Sequence, residues 1–161
     1  MKYIITENQL ERLSQEEKIL ELPSLLFFNN DWNLLQKYLE KKGNPKYSIE
    51  GDLDLRNTPI ESLGNLTSVG GFLDLGNSQI KSLGNLTSVG GCLNLFNTPI
   101  QSLGNLTSVE DYLNLAGTKI KSLGNLTSVG GSLNLRNTPL SEIYTEEKIR
   151  NIVEVTGKIY M

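Results

Sequence analysis

The chain has 161 residues (17.9 kDa), with 15 Lys and Arg against 18 Asp and Glu, a net charge of −3 and a pI near 5.1. No basic excess speaks for nucleic acid, the absence of histidine removes the commonest general base and zinc ligand, and the single cysteine, Cys92, excludes an internal disulfide or a multi-cysteine metal site. Before Glu7 the N-terminus offers only Ile4-Ile5 as an apolar run, too short for a signal peptide, and no stretch reaches the roughly 18 apolar residues of a membrane span. The expectation is a soluble cytoplasmic protein that binds no membrane, nucleic acid, metal or cofactor.

Residues 1–46 read as an N-terminal helical cap. Thr6 and Gln9 have capping-box spacing, and Leu10, Leu13, Ile19, Leu20 and Leu22 make a loose helical stripe up to Pro23. Asp31 suits the N-cap of a second helix carrying Trp32, Leu35, Tyr38 and Leu39 and ending at Gly43. Phe27 and Phe28 are expected beneath it, with Trp32 in the core rather than as an exposed anchor.

Residues 47–140 repeat with a period of twenty. SLGNLTSVGG stands at 62–71, 82–91 and 122–131, and as SLGNLTSVED at 102–111. Five units run from about Gly51 to Leu140, with Ser48-Ile49-Glu50-Gly51 matching the end of a further block. Leu53 and Leu55, with their equivalents, recur two apart and predict a strand with one buried face. Ile60 starts a third apolar column. Leu63, Leu66 and Val69 sit three apart, as a tight 3₁₀-like or extended return would place them. A helix is excluded by Gly70-Gly71 and Pro59. One unit cannot bury these side chains, but stacked units share a continuous core. The column Thr58, Ser78, Thr98, Thr118, Thr138 offers hydroxyls to backbone groups left inside the turns.

Residues 141–161 read as a C-terminal cap. Thr145-Glu146-Glu147 opens a short helix that buries Ile149, Ile152 and Val153; Gly157 breaks it, and a last strand follows within Lys158–Met161. The chain is expected to be one cooperative domain, complete with both caps.

The pattern L-x-x-L-x-x-V-G-G-x-L-x-L-x-N-T-x-I resembles the leucine-rich repeat in a short form and implies an α/β solenoid with one parallel strand per coil of about 20 residues. The consensus Asn or Cys position is Thr or Ser here, with Asn57 one residue earlier. The unit length is similar to that of bacterial effector repeats, whose paired Leu-Pro motifs are missing, so their ubiquitin-ligase activity is not implied. A parallel β-helix is the alternative fold, and differs in carrying two or three strands per coil. The two flanks resemble those of repeat proteins of tailed bacteriophages, which implies a viral protein acting in a host cytoplasm.

Catalytic chemistry finds little footing. No histidine activates the abundant hydroxyls. Asp52, Asp54 and Asp74 share a strand face and read as an exposed acidic surface rather than a calcium or acid–base site. Cys92 points outward with no evident activating base. Asn65-Leu66-Thr67 and its copies match a glycosylation acceptor but read as turn residues. Gly70-Gly71 marks a corner, not a phosphate cradle.

The repeats differ chiefly around the strand leucines. The variable columns are Asp52, Phe72, Cys92, Tyr112, Ser132; Asp54, Asp74, Asn94, Asn114, Asn134; and Arg56, Gly76, Phe96, Ala116, Arg136. In a leucine-rich repeat these line the concave ligand face, so Phe72, Phe96 and Tyr112 are candidate anchors, with Asp52, Asp54, Arg56, Asp74, Cys92, Asn94, Asn114, Asn134 and Arg136 around them. Five strands span about 20–24 Å, which suits a peptide, a loop or a small domain. The expected function is non-catalytic protein binding, and the phage resemblance implies inhibition of a host or defence factor as its purpose. The alternative is self-association through the same face or the sheet edges.

Overall fold

The computed structural model describes residues 19–161. The alternating leucines form strands: β3 (Leu53–Asp54), β5 (Leu73–Asp74), β7 (Leu93–Asn94), β9 (Leu113–Asn114) and β11 (Leu133–Asn134), continued by β13 (Ile159–Tyr160). Together they make a six-stranded parallel sheet, here the leucine sheet, in which Leu53, Leu73, Leu93, Leu113 and Leu133 stand in one register. Each is fully buried.

Every coil carries a second strand, not one as the resemblance implied. β1 (Leu20–Leu22), β2 (Tyr47–Ile49), β4 (Leu66–Val69), β6 (Ser88–Val89), β8 (Ser108–Val109), β10 (Ser128–Val129) and β12 (Glu154–Val155) form a seven-stranded parallel sheet, the valine sheet. Two strands per coil is the feature expected of a parallel β-helix. The second strand is hard to read because β4 buries only its two ends, Leu66 and Val69, so the period-two signature of a strand is lost. The chain is a capped parallel β-solenoid whose core lies between the sheets.

Side-chain hydrogen bonds lock the turns. Thr58, Thr98, Thr118 and Thr138 each donate Oγ1 to the carbonyl three residues earlier, at 2.6–2.9 Å, within their own coil. Asn57, Asn77, Asn97 and Asn137 hold the left-handed conformation at φ 54–58°, which asparagine tolerates better than most residues; Gly117 takes this place in its coil. Thr67, Thr87, Thr107 and Thr127 donate to the preceding coil at 2.9–3.0 Å. At the corner, a Cβ on Gly90 would overlap the carbonyl oxygen of Gly70. Within SLGNLTSVGG the Leu63, Leu66 and Val69 columns are set by burial and the Thr67 column by its bonds between coils, while the Gly70-Gly71 corner also accepts Glu110-Asp111.

The ends depart from expectation in four places. Leu20–Leu22 is a strand rather than the end of a helix: Leu22 turns inward, Glu21 outward, and β1 pairs in parallel with β2. Thr6, Gln9, Leu10 and Leu13 lie outside the described residues. A 3₁₀ turn follows at Leu25–Phe28, where Phe28 meets the Tyr38 ring at 5.3 Å while Phe27 is 74% exposed rather than packed beneath the helix. α1 (Trp32–Lys41) is N-capped by Asp31, whose carboxylate accepts from the Asn33 and Leu34 amides, and it buries Trp32, Leu35 and Leu39. After β11, α2 (Pro139–Ile143) appears where no helix was expected, because Thr138 caps it and Pro139 suits a first turn. α3 (Glu146–Arg150) then follows its cap Thr145; Ile149 and Val153 are buried, but Ile152 is half exposed because Asn151 ends the helix before the stripe reaches it. The last strand is present as β13.

Candidate interaction surface

The three variable columns lie on the outer face of the leucine sheet, because the alternate residues Leu53, Leu55 and their equivalents point inward. In the first column Asp52 accepts the Phe72 amide at 2.9 Å. Phe72 is 38% exposed. Cys92 is half-buried and its Sγ donates to the Asp111 carboxylate at 3.3 Å. Burial, with Asp111 adding to it, pushes this thiol up, so the thiolate is scarce near neutral pH and Cys92 is a poor nucleophile. The Tyr112 hydroxyl accepts from Asn134 Nδ2 at 3.1 Å.

The second column is largely a structural ladder. Asn94 Nδ2 donates to Asp74 Oδ1 at 2.9 Å and Asn114 Nδ2 to Asn94 Oδ1 at 3.1 Å. Each of Asp54, Asp74, Asn94, Asn114 and Asn134 also accepts the amide two residues on, at 2.9–3.2 Å. These side chains shape the floor of the face, so much of their polar capacity is engaged before any partner arrives.

The third column holds the charges. Arg56 pairs with Asp54 at 2.7 Å and reaches Asp74 at 3.9 Å. The hydrogen bonds that Arg56 donates to Asp54, then the charges of Asp54 and Asp74, raise the pKa of this guanidinium further. Asp54 and Asp74 thus converge on a cation of the chain itself. Phe96 is 45% exposed between Gly76 and Ala116, which present no projecting side chain. Arg136 lies over the Tyr160 ring, 4.7 Å from its centroid.

The three proposed anchors do not form one cluster. Phe72 and Tyr112 share a column with Cys92 between them, while Phe96 stands in the third column, four residues along the strand direction. Tyr160 was missed. Its signal was present: Gly157-Lys158-Ile159-Tyr160 parallels Gly131-Ser132-Leu133-Asn134, but 26 residues on rather than twenty, and Asn134 pairs with Tyr160. Leu25 and Asn30, which join Asp52, Asp54 and Phe72 around a cleft of about 320 Å³, had no such signal. The Asn65 column is spent on turns, with Asn65 donating to the Asn44 carbonyl at 2.7 Å and Asn85 to Asn65 Oδ1 at 2.9 Å.

Among the described residues no three His, Cys, Asp or Glu side chains are grouped to hold a metal ion, and no helix is long and apolar enough to cross a membrane. Fold and surface define a class: a capped, two-sheet parallel β-solenoid with aromatic side chains displayed on one sheet face. No family model, curated protein or solved structure matches the chain.

Proposed function

We propose that the protein is a non-catalytic binding module that holds a peptide, a loop or a small domain of a partner protein against the outer face of the leucine sheet. One observation carries this reading: Phe72 and Phe96, on adjacent strands, are 38% and 45% exposed at positions where the coil imposes no residue type. The hydroxyl, asparagine and glycine columns are explained by the coil itself; these two phenylalanines are not. Exposed aromatics in the middle of a rigid sheet supply contact area at small entropic cost, the usual basis of an interface hot spot.

The recurring L-x-L-x-N-T-x-I columns support a leucine-rich repeat, in which the leucine sheet is the concave face. The phage-like flanks support a host or viral protein as target, met in a host cytoplasm, with defence inhibition as the purpose.

The test is capture of partner proteins by the wild type and by the Phe72→Ala/Phe96→Ala variant. The variant is expected to retain at most about a tenth of the binding to a specific partner, with an unchanged thermal unfolding midpoint. Equal capture by both proteins would remove the leucine sheet face as the binding site.

A further inference from the structure

We propose that the outer edge of β3 receives an extended, cationic segment of a partner protein, which adds to the leucine sheet as one more parallel strand. In the coil stack the amides of Leu53, Leu55 and Asn57 donate to the carbonyls of Phe72, Asp74 and Gly76, at 2.9, 2.8 and 2.9 Å. One coil earlier the equivalent carbonyls belong to Asp52, Asp54 and Arg56. They face the other side of β3, where the leucine sheet ends, and no amide of the described residues donates to them.

Among the described residues the sheet ends here for a local reason. The stack continues past β2, since Glu50 and Gly51 still donate to the carbonyls of Leu22 and Pro23 at 2.9 and 3.0 Å. The chain then curls into the 3₁₀ turn at Leu25–Phe28 instead of forming the next strand, so the valine sheet gains β1 while the leucine sheet gains nothing. The cleft of about 320 Å³ lined by Leu25, Asn30, Asp52, Asp54 and Phe72 opens at this edge, and its volume falls in the range of small binding sites.

The occupant follows from charge and shape. Asp52, Asp54 and Asp74 outnumber the one cation among them, Arg56, and the carbonyls of this edge, which receive no amide of the described residues, add further negative potential. An entering strand supplies amide donors at alternate residues, as in β-strand addition, and Lys or Arg side chains toward the carboxylates. The β1, β3 and β12 edges of a second copy carry Glu21, Asp54 and Glu154, which repel this one. A second copy would have to bring its β13 edge, the other end of the leucine sheet, and concentration-dependent self-association of the chain alone with shifts at β3 would overturn the proposal. This site uses backbone rather than the exposed aromatics, so it stands or falls separately from the face proposed above.

The test is an NMR titration of the ¹⁵N-labelled full chain with acetyl-Lys-Val-Lys-Val-Lys-amide. The amides of Leu25, Asn30, Asp52, Asp54 and Arg56 are expected to shift. Methylating alternate peptide nitrogens should weaken binding at least about tenfold in one of the two phases, since it removes the donors. Asp52→Asn, which keeps an oxygen for the Phe72 amide, should weaken it severalfold, and acetyl-Glu-Val-Glu-Val-Glu-amide should not bind. Phe96→Ala should leave all of this unchanged. Absence of shifts at β3, equal binding by both methylated peptides, or shifts confined to Phe96 and Tyr112 would overturn the proposal; the last outcome would leave the face reading intact.

Discussion

At the scale of single residues, the hydroxyl column shows what physical chemistry demands of a turn that lies inside a coil. The Leu95 carbonyl is satisfied by Thr98 Oγ1 at 2.9 Å, and Thr98 is only 3% exposed. Thr98→Val keeps the shape and removes the donor. It is expected to cost about 1–3 kcal/mol, read as a lower urea midpoint with an unchanged slope, whereas Thr98→Ser should recover most of the loss. The need for a donor at this position was legible from the recurrence of Thr and Ser; its acceptor, three residues back in the same coil, was not. The second column teaches the reverse lesson. Asn94 and Asn114 vary from Asp74 along the repeat and so read as ligand contacts, yet they hydrogen-bond from coil to coil. Variation between repeats does not separate a free position from one that tolerates either of two isosteric acceptors.

At the scale of elements, twenty residues is a geometric constant. Each β3-to-β11 pairing and each Thr67-type bond joins residues twenty apart. Removing residues 82–101 should therefore join Lys81 to Ser102 in register and leave a cooperative solenoid one coil shorter. Its denaturant slope should fall by roughly an eighth, in line with the surface lost. Removing 82–100 instead puts the strands after the junction one residue out of step, turning leucines toward solvent; loss of the cooperative transition and aggregation are expected, visible by circular dichroism and light scattering. The leucine strands were legible because alternation is local. β1 and the valine strands were not: Leu20–Leu22 fits a helical stripe equally well until Tyr47–Ile49 is placed beside it, and tertiary pairing outweighs a weak local pattern.

At the scale of the whole molecule, Tyr47 ties the N-terminal cap to the coils. It is 1% exposed, its hydroxyl accepts from Gln36 of α1 at 3.2 Å, and it donates to the Leu63 carbonyl at 3.2 Å. Burial pushes this phenol up from 10.0 to about 12, against a smaller opposing effect of Gln36. Between these values the folded chain keeps a proton that the unfolded chain has released, so stability falls as pH rises. The full contribution is present below about pH 10, and roughly 2–3 kcal/mol is lost by about pH 12. Tyr47→Phe should flatten that part of the stability–pH profile relative to wild type while lowering stability near neutral pH by about 1–2 kcal/mol. Among the described residues the same cap adds no strand at the β3 edge, because the chain there forms the turn at Leu25–Phe28.

The sequence by itself determined the solenoid, its period, its buried leucine columns and its repeating turns, because each follows from short-range alternation copied at fixed spacing. Only the tertiary structure decided the second sheet, the strand at Leu20–Leu22, the pairing of Asn134 with Tyr160 and, among the described residues, the end of the leucine sheet at β3. All four depend on which segments lie side by side. Pairings outside the twenty-residue register, such as Leu20 with Tyr47 or Asn134 with Tyr160, leave no periodic trace in the chain.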